Sequence, residues 1–175
     1  MKKTIFAFAF LMFATLAFAQ NPTYKGEEPP PLKIGRFVNS DMPFKSLAEL
    51  KGDGVIVECF RTSCGPCKAA MPHLDEVWQE HQRPDFHIIA TTHDSYDLIK
   101  RLLYHESRGV QVNFPVAVEN QANWRVTGVP MMYIIGRDGK VAWAGNPHQK
   151  YDDALEAELN KPDPNAPEHP DKYDK

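Results

Sequence analysis

Residues 55–60 read VIVECF, and four positions later the chain reads Cys64-Gly65-Pro66-Cys67. The first stretch is short, apolar and rich in β-branched side chains. The Gly52-Asp53-Gly54 turn precedes it, which suits a central strand of a sheet. The period then changes: Cys67, Met71, Leu74, Val77 and Trp78 lie on one stripe of a helix over residues 64–82. Pro72 falls inside that stripe and predicts a kink one turn after the helix starts. Few architectures accept an apolar strand that runs straight into a helix, and a sheet with helices packed on it is the principal one.

The alternation continues downstream. Residues 86–90 (FHIIA) form a second strand after the breaker Pro84, and residues 96–106 a second helix with Leu98, Ile99, Leu102 and Leu103 apolar. Residues 114–118 (FPVAV) read as a short strand or extended segment. Residues 131–135 and 141–144 flank Arg137-Asp138-Gly139-Lys140, and Asp-Gly between two β-rich runs signals a hairpin. Residues 151–159, carrying Tyr151, Leu155 and Leu159, close the pattern as a helix. The fold class that follows is α/β, a mixed central sheet with helices on both faces.

The ends read differently. Lys2 and Lys3 precede an almost wholly apolar stretch that finishes Ala17-Phe18-Ala19, so residues 1–19 read as a cleavable signal peptide. That run is shorter than the roughly 20 apolar residues of a spanning helix, so membrane contact is expected only through this segment. Residues 20–31, with three consecutive prolines, read as a stiff extended leader. Residues 160–175 carry four prolines among Lys, Asp and Glu and read as a disordered tail. Between them, residues 32–159 are long enough for one well-buried core, without an internal repeat.

Charge and cysteine content narrow the function. Lys+Arg is 20 and Asp+Glu 23, so the net charge is −3, falling to −5 once Lys2 and Lys3 are removed. Such a balance offers no basic field for nucleic acid. Three cysteines are too few for a disulfide-stapled scaffold or a four-cysteine zinc site. Neither a metal nor another cofactor is called for. Export would place the chain, soluble after cleavage, in the periplasm or an equivalent space where disulfides form.

Cys64 and Cys67 carry the candidate chemistry. At i and i+3 on a first helical turn, their sulfurs come within bonding reach, and the loop they close is too small to constrain the unfolded chain. Such a pair is a poor staple and a serviceable redox switch. The helix N-terminus favours a thiolate at the first cysteine through unpaired N–H groups and the positive dipole end. Cys64 can then attack a partner's disulfide, and Cys67 can resolve the mixed disulfide.

Neighbouring residues are more open. Glu58 sits in the apolar strand, where a carboxylate costs several kcal/mol unless paired, wet or protonated. Spacing leaves two readings: a proton acceptor for Cys67, or a residue facing solvent. Cys59 points away from Glu58 and Phe60 and reads as a small buried hydrophobe. Arg61 reads as a solvated strand-end charge, with thiolate stabilisation as the rival. His73 and His93 read as surface residues, and Pro130 opens the strand at Met131.

In order along the chain, Ser46-Leu47-Ala48-Glu49-Leu50-Lys51-Gly52, VIVECFRTSCGPC, Met71-Pro72, Gly128-Val129-Pro130 and the hairpin over residues 134–145 resemble the thioredoxin superfamily. Within it they are similar to the exported TlpA/ResA-like thiol–disulfide oxidoreductases. The resemblance spans residues 32–159 and implies a thioredoxin fold with an extra N-terminal segment. It implies that Cys64 is the nucleophile, Cys67 the resolving thiol and Glu58 a buried acid. It also implies a cis-proline at Pro130, beside which the backbone of Val129 pairs with a substrate strand. The chain departs from the family pattern at Ser63, where relatives carry Trp, at Cys59, where they carry an aromatic residue, and at Arg61, where they carry a small one.

The leading functional expectation is an exported reductase of protein disulfides. Its implied substrates include apocytochrome c cysteines and copper-site assembly proteins, and a membrane or exported thiol partner would supply electrons. An oxidising disulfide-forming enzyme, a copper metallochaperone using the cysteine pair, and a binding module using the groove near Pro130 are the rival readings.

Overall fold

The computed structural model describes residues 24–105, 109–119, 124–162 and 164. The candidate signal peptide at 1–19 and twelve of the sixteen residues of the candidate tail at 160–175 lie outside them. Six strands form one sheet: β1 (Ile34–Phe37), β2 (Gly54–Cys59), β3 (Phe86–Thr92), β4 (Val116–Glu119), β5 (Met131–Ile135) and β6 (Val141–Gly145). Three α-helices accompany them, α1 (Gly65–Glu80), α2 (Tyr96–Tyr104) and α3 (Asp152–Leu159), with a 3-10 turn at Leu47–Leu50.

The strands lie in the order β1-β4-β3-β2-β5-β6. β2, β3 and β4 run parallel, while β5 is antiparallel to β2, β6 to β5, and β1 to β4. All six residues of β2 are buried, as its apolar composition demands of a central strand. The mixed sheet with its helical cover is a thioredoxin fold.

Alternation along β2 separates two cores. Ile56 and Phe60 face α1, α2 and α3, meeting Met71, Leu74, Ile99, Leu103, Leu155 and Leu159. Val55, Val57 and Cys59 face the other way, onto Leu32, Phe44, Leu50 and Trp124. The crossovers β2–α1–β3 and β3–α2–β4 step the same way across the sheet, so a single handedness puts both helices on one face. Helical cover is therefore unequal: three α-helices on one side, the 3-10 turn and the N-terminal segment on the other.

Part of the candidate leader is docked. Tyr24 is buried and its ring meets Trp124 edge-on at 6.5 Å. The Gly26 N–H donates to Val141 at 2.8 Å, and the Val141 N–H donates to Glu27 at 2.9 Å, so residues 24–27 lie along the start of β6. Gly26 turns with φ +82°, a conformation that suits a residue without Cβ.

Candidate active site

The site is assembled where β2 stops and α1 begins. After Cys59 the chain leaves the sheet, and Asp94, beyond β3, gathers the connection. Its carboxylate accepts from the Thr62 N–H at 2.6 Å, the Thr62 hydroxyl at 2.7 Å and the Arg61 guanidinium at 3.1 Å. Burial works against the charge on Asp94, and the bonds from Thr62 and Arg61 outweigh it, holding the carboxyl below its ordinary value.

Cys64 is the N-cap of α1, with extended backbone (φ −83°, ψ 110°), and its Sγ accepts from the Cys67 N–H at 3.1 Å. Pro66 suits the first turn of the helix, since its fixed φ is helical and no N–H is needed there. Cys64 and Cys67 are joined as a disulfide, with their Cα atoms 5.3 Å apart. Cys67 is 0% exposed, whereas Cys64 is only half-buried. α1 continues through Pro72 to Glu80.

The antiparallel course of β5 brings its start to the same end of the sheet, where Met131 stands opposite Cys59. The Val129–Pro130 peptide just before it is cis. Cys64 Sγ lies 3.8 Å from the carbonyl oxygen of Val129. A groove lined by Thr127, Val129, Pro130, Gly145, Asn146 and Gln149 runs beside this turn.

Glu58 points to the helix-covered face, between Ile56 and Phe60, with Ala90 and Met132 as its neighbours on β3 and β5. It is 1% exposed, and neither carboxyl oxygen has a hydrogen-bond partner among the described residues. Burial pushes its carboxyl well above the ordinary 4.5. Val55, Ile56 and Val57 beside it each contribute about 1.5–3 kcal/mol by burial, enough to hold a strand that carries one unpaired acid. Of the two readings that spacing left open, the inward one is what the fold adopts. The Tyr151 hydroxyl, in the same cluster as Cys67, is also buried without a hydrogen-bond partner among the described residues. Burial first, then Asp152 and Glu58, push it up to about 12.

The remaining candidates stay apart from the sulfurs. Cys59 is buried on the opposite face, its Sγ 3.9 Å from the Thr91 hydroxyl. Arg61 is paired with Asp94 rather than turned to Cys64. His73 and His93 are exposed, and the His73 ring lies 6.1 Å from that of Tyr151. Among the described residues no three His, Cys, Asp or Glu side chains converge as a metal cage. Three features of the site do not follow from the sequence: the Asp94 clamp, the buried Tyr151 hydroxyl, and a bond from His148 to the Pro66 carbonyl at 3.0 Å. Only the apolar setting of Tyr151 had a local signal, since the other two join segments far apart in the chain.

Comparison with known proteins supplies the lineage. The model of the AhpC/TSA family matches residues 37–144, from the end of β1 into β6. The chain belongs to the AhpC/TSA family. This AhpC/TSA chain is 29% identical over 154 residues to the thiol-disulfide oxidoreductase ResA of Bacillus thuringiensis (strain Al Hakam), covering 81% of this chain and 87% of that protein. Among solved structures it is similar to a thiol:disulfide interchange protein of the thioredoxin family from Chlorobium tepidum TLS. There the TM-score is 0.59 and the identity 25%, over 75% of this chain and 96% of the other. A thiol-disulfide isomerase from Corynebacterium glutamicum aligns with TM-score 0.61 and 18% identity, over 75% of this chain and 95% of the other, and so speaks to the fold alone. The AhpC/TSA chain is thus a thioredoxin-like thiol–disulfide oxidoreductase.

Proposed function

We propose that the protein is an exported reductase of disulfides in partner proteins, with Cys64-Gly65-Pro66-Cys67 as its redox centre. The observation that carries this reading is the unequal placement of two bonded sulfurs at a helix N-terminus, Cys64 half-buried and Cys67 fully enclosed. The reduced enzyme begins with Cys64 as a thiolate, favoured by the Cys67 N–H and the helix dipole. Its sulfur attacks a partner's disulfide, a mixed disulfide forms, and one partner sulfur leaves as a thiolate. Cys67 then gives its proton to Glu58 and attacks the Cys64 sulfur. The partner leaves with its second thiolate, now carrying two electrons, and the enzyme holds the Cys64–Cys67 disulfide.

Glu58 suits the proton step because burial makes its carboxylate a stronger proton acceptor than an ordinary one. Val129 and Pro130 border the groove in which an extended partner segment would lie, with the Val129 backbone as its pairing edge. Substrates of this chemistry are exported proteins with accessible cysteine pairs, including apocytochrome c and copper-site assembly proteins. A membrane or exported dithiol partner would restore the reduced state. The Gly-Pro dipeptide between the cysteines favours reduction, since thioredoxin lies near −270 mV and the oxidant DsbA near −120 mV.

Insulin reduction by residues 20–175, beside copper titration of the reduced protein, tests the proposal. Turnover that disappears in Cys64→Ser, without tight copper binding, is the expected result. Tight copper binding with no turnover would overturn it in favour of a metallochaperone.

A further inference from the structure

The loop between β6 and α3 touches the CGPC turn from a side that the proposed mechanism does not use. It is braced from within: the Asn146 N–H donates to Gln149 Oε1 at 3.1 Å, the Gln149 N–H to the Asn146 carbonyl at 2.9 Å, and the His148 N–H to Asn146 Oδ1 at 3.0 Å. Pro147 is buried beneath it. Gly145 leads into the loop where a Cβ would come within 2.6 Å of Gln149 Oε1 and 2.9 Å of the Trp143 ring, so a larger residue there would displace the Gln149 amide that braces the loop.

The braced loop presents His148. Its Nε2 lies 3.0 Å from the Pro66 carbonyl oxygen, across 82 positions of sequence. A carbonyl only accepts, so the proton is on Nε2. Pro66 belongs to the small ring closed by Cys64 and Cys67. Gly145, Asn146 and Gln149 also line the groove beside Pro130. One braced loop therefore contacts both the redox turn and the candidate partner groove.

We propose that the 145–149 loop is a further wall of the active site, and that His148 is a positioning residue which holds the Pro66 carbonyl and biases the dithiol–disulfide equilibrium. This rests on Cys64-Cys67 being the redox centre. The Pro66 carbonyl shares its peptide group with the Cys67 N–H, which donates to Cys64 Sγ at 3.1 Å, so a donor on that carbonyl polarises the N–H toward the sulfur and strengthens the bond to a thiolate more than to a neutral disulfide. His148 thereby favours the reduced form.

The test is equilibration of the wild type, His148→Ala and His148→Gln with glutathione buffers, with the Cys64 thiolate followed by ultraviolet absorbance. Glutamine keeps a donor near the Nε2 position. In His148→Ala the equilibrium moves about fivefold toward the disulfide, or ~20 mV at 29.6 mV per tenfold, and the thiolate forms at higher pH. His148→Gln stays within about twofold of wild type. Wild-type values in His148→Ala, or equal shifts in both variants, would overturn the role of His148 while leaving the redox centre intact. A wild type that never interconverts between dithiol and disulfide would overturn both.

Discussion

Glu58 on β2 stands directly opposite Met132 on β5, so the acid is enclosed by a thioether on one side and by Ala90 on the other. With no hydrogen-bond partner among the described residues, the carboxyl is pushed above its ordinary value of 4.5 by burial alone, and it can take the Cys67 proton once ionised above that raised value. Between pH 4.5 and that raised value the folded state binds a proton that the unfolded chain has released. This removes stability as pH rises from 4.5, at about 1.4 kcal/mol per pH unit, up to Glu58's own pKa. Glu58→Gln should therefore melt above wild type at pH 7, with the gain disappearing below pH ~4.5. Melting curves across that range check it, and a gain independent of pH would count against the assignment.

The same substitution separates two chemical steps. If Glu58 accepts the proton of Cys67, Glu58→Gln slows release of the mixed disulfide about 10²-fold or more and leaves attack by Cys64 nearly unchanged. Stopped-flow mixing with a disulfide probe resolves the two phases. Equal slowing of both would remove the proton role.

Asp94 holds the approach to the cysteines through three bonds from Thr62 and Arg61. Asp94→Ala leaves the Thr62 donors without their carboxylate and should cost about 1–3 kcal/mol at pH 7. Because the carboxyl is held below its ordinary 3.8, its contribution is present at neutral pH and fades as pH falls through the folded value. Urea unfolding should show the variant and wild type converging in acid, and a constant difference would contradict this.

Tyr151 contributes its ring more than its hydroxyl. The ring lies 5.8 Å from Trp143 and 6.1 Å from His73, whereas the hydroxyl is buried without a hydrogen-bond partner among the described residues. Tyr151→Phe should be as stable as wild type or slightly more so, and Tyr151→Ala should lose about 3–5 kcal/mol. A strongly destabilised phenylalanine variant would reveal a bond to that oxygen.

Elements built from one kind of local signal were legible in the sequence. The run at 55–60 and the helical stripe from Cys67 to Trp78 correspond to β2 and α1, and the Asp138-Gly139 turn joins β5 to β6, with Gly139 at φ +78°. β1 was not legible: Ile34-Gly35-Arg36-Phe37 carries a glycine and a charge and alternates poorly, as an edge strand can. The direction of Glu58 was also hidden, because both faces of a central strand are covered and alternation alone cannot choose between them. His148 and Pro66, like Asp94 and Thr62, meet only through the closed sheet, which no local pattern encodes.

The unequal burial of the thiols also has a practical consequence. Of the three cysteines in the reduced chain, Cys59 and Cys67 are sealed in opposite cores and only Cys64 reaches solvent. A bulky maleimide should enter once per folded molecule, so the native chain already carries a single handle for attaching a spectroscopic reporter or a resin at the mouth of the groove.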